Sequence, residues 1–289
     1  MVKKLIFSFI LLTSLFVVAS ERPDISPDSI DIHGDMCPKK EALEGHSGKF
    51  GHTVVLVDTT HALSEPQFAL LERMIFDESV LMKMPPYDRL SILNLTGIDI
   101  QASQNDYIFS MCRPRNGEAG SIFRLDKGTF WVPKSKLRRN WRIYLDEINK
   151  AKQRLAEQPA GDYTQLFEQL KELSRIPDLK FYDGYETRKI IIVSDFIQHS
   201  DNLTLYPTCV RRGKCMSWKS IRNDKQSKSW IETNLPDFGN YSPEVEFIYL
   251  NANADPKLNI GLMDFWGSYF AEIGVSKIKI ETETSFKSQ

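Results

Sequence analysis

Two apolar runs in this sequence end in oxygen-bearing side chains. "TVVLVDTT" passes from Thr53 into Asp58, Thr59 and Thr60, and "IIIVSDF" closes on Ser194 and Asp195. Two carboxylates brought together at the ends of buried strands repel each other unless something neutralises them. A hard divalent cation does this best, drawing oxygen from carboxylates, hydroxyls and water. Thr60 stands two residues beyond Asp58 and can face the same point. Thr164, after "AGDY", offers another hydroxyl, although an N-cap at the start of a helix is its ordinary use. Cation binding is therefore the chemistry these residues suit.

Such a pair can meet only if both runs are neighbouring strands of one sheet, and the order of elements favours this. Thr53–Val57 is too continuously apolar for a half-exposed edge and reads as a buried strand. A helix is expected from Ser64, with Phe68, Leu71, Met74 and Ile75 at helical spacing, until "MPPYD" stops it at Pro85. Strands are expected at Arg89–Leu95 and Tyr107–Cys112, then helices at Leu137–Glu157 and Thr164–Ile176. After the second apolar run come a short helix near Ser227–Asn234, a strand at Glu244–Ala252, a helix at Ile260–Ile273 and a last alternating strand, "SKIKIET". Strand and helix in alternation specify a three-layer α/β/α, doubly wound fold with a mostly parallel central sheet. In such sheets ligands gather at the carboxyl ends of strands where the winding reverses. With strand order 3-2-1-4-5-6, Asp58 and Asp195 become neighbours at that point.

The chain's 289 residues, 42% hydrophobic and 26% charged, can bury a full core. Its 37 basic and 38 acidic residues give a net charge of −1, which leaves no electrostatic footprint for nucleic acid. The basic cluster "KSKLRRNWR" reads as a solvated helix face. Lys3 and Lys4, an apolar run from Leu5 to Val18, and Ala19–Ser20 form the pattern of a secretory signal peptide over residues 1–20. An uncleaved anchor is the alternative, though the run is shorter than the roughly 20 residues a spanning helix needs.

Export favours disulfides. Cys209 and Cys215 bracket "CVRRGKC", a loop able to close on itself, which leaves Cys37 for Cys112; zinc-ligand spacing is lacking. Asn94-Leu-Thr and Asn202-Leu-Thr match the glycosylation acceptor pattern.

With "VVLVDTTHA", "GDYTQLFEQL" and "IIIVSDF" in this order, the chain resembles the von Willebrand factor A-like domains. The resemblance spans residues 51–282, with an insertion at about 98–160 between an extension at 21–50 and a polar tail at 283–289. It implies a Rossmann-like fold carrying a metal-ion-dependent adhesion site. Asp58 would match that site's leading Asp, Thr60 its first hydroxyl, Thr164 its Thr and Asp195 its last Asp, holding Mg2+ or Mn2+. Ala62 departs from the pattern, standing where a second hydroxyl is expected. The resemblance further implies a protein partner, docked through an acidic side chain that completes the metal's coordination. The setting would be the bacterial periplasm or the extracellular space.

Other chemistries find less support. The sequence lacks a G-x-S-x-G elbow, a phosphate-binding glycine loop and an H-E-x-x-H pair. A magnesium-dependent phosphatase would want a second Asp where Thr60 stands. His61 and His199 read as exposed turn residues. Trp266, Tyr269 and Phe270, with Leu262, Phe265 and Ile273, read as a core-facing stripe. A metal-independent structural subunit of an envelope assembly remains the rival to the adhesion-type site.

Overall fold

Strand β1, Phe50–Val57, lies at the centre of the molecule because its side chains feed two cores at once. Val54 and Leu56 enter one hydrophobic cluster and Val55 and Val57 the other, the alternation that a strand imposes. The computed structural model describes residues 34–38, 50–95, 107–116, 134–175, 185–239, 242–250, 256–275 and 277–282. The signal-peptide pattern, most of the extension 21–50, the polar tail and, within the segment 98–160, residues 98–106 and 117–133 lie outside the described residues.

Six strands form one sheet in the order β3-β2-β1-β4-β5-β6. They are β1, β2 (Arg89–Asn94), β3 (Phe109–Cys112), β4 (Tyr185–Ser194), β5 (Glu244–Tyr249) and β6 (Ile278–Thr282). All pairings are parallel except β2 with β3. This is the doubly wound α/β architecture that the element order implies, with the winding reversed between β1 and β4. Val57 pairs with Val193 there, so Asp58 and Asp195 leave the sheet on adjacent strands.

Helices cover both faces. On one side pack α1 (Glu65–Leu71), α2 (Glu78–Lys83) and the long α3 (Lys134–Ala156), with Tyr144 and Ile148 buried against Phe109 and Ile92. On the other pack α4 (Leu166–Arg175), the short α5 (Tyr206–Cys209), α6 (Trp218–Arg222) and α7 (Lys228–Asn234), and α8 (Pro256–Glu272). Trp266, Tyr269 and Phe270 of α8 are fully buried in that second core, as the stripe predicts. Phe167 stacks on Trp218 and meets Tyr269 edge-on.

Both disulfides form, Cys37–Cys112 and Cys209–Cys215. Among the described residues no helix is long and apolar enough to cross a membrane.

Several details depart from the sequence expectation. The single helix expected from Ser64 to Pro85 is broken: a π-helical turn, Glu72–Phe76, ends at Asp77. There the Asp77 carboxylate accepts the Ser79 N–H at 2.8 Å and starts a new helix. Helix α4 begins at Leu166, two residues later than expected. The loop after β4 also folds into α5 and α6, which the polar "VRRGK" stretch disguises.

Candidate functional site

Asp58 follows β1 directly and is 5% exposed, with its amide donating to the Val193 carbonyl at 2.8 Å, so the ladder extends one step past the strand. Each carboxylate oxygen accepts from its surroundings. Oδ1 takes the Thr60 N–H at 3.0 Å and the Thr60 hydroxyl at 2.6 Å. Oδ2 takes the Ser194 hydroxyl at 2.6 Å and the Thr164 hydroxyl at 3.3 Å. Thr164 is 4% exposed and its Oγ1 also lies 3.2 Å from that of Thr60.

Thr164 does not serve the helix. A bridge to His199 holds its backbone, and Gln198 Oε1 accepts the Phe167 N–H at 3.2 Å at the start of α4. With the orphan amide satisfied elsewhere, the threonine hydroxyl is free to turn towards Asp58.

Asp195 stands opposite, past the end of β4, and its Oδ1 accepts the Ile197 N–H at 2.9 Å. Burial, then the nearby Asp58 charge, push its pKa up from 3.8 to about 6, against the pull of the Ile197 amide and His61. The chain makes this turn through Phe196, whose φ of 61° is left-handed and costly for a bulky side chain. Two bonds hold it there: Phe196 N–H donates to Ser194 Oγ at 2.9 Å, and Trp266 Nε1–H donates to the Phe196 carbonyl at 2.9 Å. Ser194 thus links the strained turn to Asp58. The sequence places Ser194 at the end of the strand but assigns it no part in the site, although its place before Asp195 in "VSDF" is a signal.

The structure therefore brings Asp58, Thr60 and Thr164 into one hydrogen-bonded group and sets Asp195 within reach of the Asp58 charge. Ala62 is exposed in the turn and adds no oxygen. His61 and His199 are exposed, as expected, and His199 Nδ1 shares a 2.9 Å hydrogen bond with Thr204.

Thr60, Thr164 and Asp195 line a cleft of about 600 Å³, together with Asp162, Tyr206 and Arg211 among others. Two carboxylates and two hydroxyls make a donor set that suits a hard, oxygen-seeking cation, with water filling the remaining positions. Among the described residues no group of three or more His, Cys, Asp and Glu side chains is placed to hold a metal. All four cysteines are in disulfides, which removes a thiolate site.

No family profile matches the chain, and no curated protein does. Among solved structures it is similar to an aerotolerance-related membrane protein from Bacteroides fragilis NCTC 9343 bearing multiple mutations to serine. That match has 11% identity and a TM-score of 0.34, covering 82% of this chain and 94% of the other. It is also similar to the manganese-loaded Plasmodium vivax TRAP protein, at 9% identity and a TM-score of 0.34, covering 83% of this chain and 71% of the other. At these values neither likeness bears on activity, metal use or partners.

Proposed function

We propose that this chain is an exported, von Willebrand factor A-like binding protein that docks a protein partner at the carboxyl end of its sheet. Asp58, Thr60, Thr164 and Asp195 would hold Mg2+ or Mn2+, with an acidic side chain of the partner completing the coordination. The reading rests on one observation above all. The hydroxyls of Thr60 and Thr164, both lining the cleft, donate to the buried Asp58 carboxylate, while Asp195, also in the lining, is raised in pKa by burial and by that same charge, only partly offset by the Ile197 amide and His61. A cation held by these residues would supply positive charge between the two carboxylates and attract an incoming one. The residues themselves orient the oxygens: Ser194 fixes Asp58, and the Phe196 turn aims Asp195.

Binding, not catalysis, is the role this geometry suits. Asp58 accepts four hydrogen bonds, two of them at 2.6 Å, and a carboxylate so held is a poor nucleophile for phosphoryl transfer. The two disulfides suit an oxidising compartment, the periplasm or the extracellular space.

A second reading, a structural subunit that uses no metal, draws support from Ala62, where a second hydroxyl would strengthen the site. Calorimetry with Mg2+ and Mn2+ on the purified protein, beside Asp58→Ala and Asp195→Ala, separates the two. Saturable binding lost in both variants supports the cation site. A folded protein that binds neither ion, and a partner complex that survives EDTA, would make the structural reading lead.

A further inference from the structure

The cleft has a second wall that the cation site does not use. Cys209 and Cys215 close a seven-residue loop directly after α5, and Gly213 at φ 63° makes the tight turn within it. Arg211, Arg212 and Lys214 are all exposed on this loop, and among the described residues none of them forms an ion pair. Between Pro207 and Asn223 the chain holds five basic residues and no acidic one. Arg222 is answered by Glu232 and Glu272, so the local excess lies in Arg211, Arg212, Lys214 and Lys219.

Apolar side chains are exposed beside these charges. Tyr206 (44%), Val210 (37%) and Met216 (37%) sit on the same segment. Ile260, 63% exposed, is next to Gly261, where an added Cβ would come within 3.3 Å of the Cys215 Cβ. Four of the six exposed large hydrophobics among the described residues thus gather around one disulfide loop. The surface is continuous with the cleft, because Tyr206, Pro207 and Arg211 also line it. Arg211 lies 5.9 Å over the Tyr206 ring, which places the guanidinium at the cleft's lip.

We infer that this basic, apolar, disulfide-clipped loop is the second anchor of the docking site, and that the partner segment is an acidic peptide strand carrying apolar residues. One carboxylate of that segment enters the cleft, and further carboxylates meet Arg211, Arg212 and Lys214. The inference deepens the proposed docking role and rests on it for the cleft contact alone. A protein segment fits better than an anionic bilayer, since a planar surface reaches the loop but not the concave cleft. The disulfide limits the ordering cost of binding, as a preformed loop does.

The test uses fluorescein-labelled deca-glutamate, deca-lysine as control, and phosphatidylserine vesicles, each titrated against the folded wild type and an Arg211→Ala/Arg212→Ala/Lys214→Ala variant with Mg2+ present. Deca-glutamate is expected to bind the wild type, weaken with added salt, and lose at least roughly tenfold in affinity in the variant. Equal affinity in both proteins, or no binding to the wild type, overturns the inference. So does vesicle binding that depends on the three residues when deca-glutamate binding does not. Parallel calorimetry separates this outcome from failure of the cation reading: loop-dependent peptide binding by a protein that takes up no Mg2+ keeps the loop and removes the metal.

Discussion

Two carboxylates on one sheet are treated in opposite ways. Glu246, in β5 near its amino end, is 3% exposed and answers to two lysines: Lys189 pairs with it directly, and Lys279 lies at 3.3 Å. Burial alone would push its pKa up, but the two ammonium groups outweigh this and hold it below the usual carboxylate value. Asp195, past the carboxyl end of β4, meets another carboxylate instead, and burial first, then the Asp58 charge, raises its pKa to about 6. At one end the fold supplies its own countercharge; at the other, a backbone amide and His61 only partly offset burial and the Asp58 charge. On the proposed reading, the first carboxylate serves the architecture and the second the binding site.

The contrast can be broken most forcefully at Asp58. Asp58→Asn keeps the shape but removes the charge, and is expected to weaken Mg2+ binding by roughly 100-fold or more in calorimetry. Unchanged affinity would remove the cation from the account.

Next in size is the structural carboxylate. Glu246→Ala leaves Lys189 and Lys279 without their partner, and is expected to cost about 2 kcal/mol in urea unfolding at pH 7, reduced because both lysines reach water. Glu246 has a lowered pKa, so its contribution is present above its ordinary 4.5 and is lost as pH falls through the folded value. The variant should therefore lose less stability, relative to wild type, in acid than at neutral pH.

Asp195→Asn should act in the other direction. Because the folded state holds the Asp195 proton up to about 6 and the unfolded state releases it near 3.8, the stability of cation-free protein falls as pH rises through that window. The variant should flatten this slope and gain roughly 1 kcal/mol at pH 7, after allowing for solvent in the cleft. A variant less stable than wild type at pH 7 would show that Asp195 is structural, like Glu246.

The smallest effect sharpens the comparison. Ala62→Ser restores an oxygen at an exposed turn position and is expected to tighten Mg2+ binding by a few fold, less than about 1.4 kcal/mol, with stability unchanged. No gain would mean that the position does not face the site.

Much of this arrangement is legible in the residues. The buried character of β1 and β4 follows from "TVVLV" and "IIIV", and two apolar strands followed by helices leave few ways to wind a sheet. Asp58 and Asp195 could be placed as neighbours because both end such strands. The aromatic stripe of α8 was readable from its spacing, and the two disulfides from the cysteine positions. Less legible were the break at Asp77 and the helices in the "YPTCVRRGKCMSWKS" stretch, where periodicity is too short to register. The role of Ser194 and the left-handed turn at Phe196 depend on contacts with residues 136 and 70 positions away, Asp58 and Trp266.

Local patterning, then, determined the strands, the amphipathic helices and the residue types that could bind a cation, because burial and hydrogen-bond periodicity are written into near neighbours. Tertiary structure alone decided that Thr164 serves Asp58 rather than its own helix, since Gln198 caps α4 in its place. It likewise decided that Glu246 is neutralised while Asp195 is not. Charge state depends on what folding brings within a few ångströms, and no spacing along the chain records that distance.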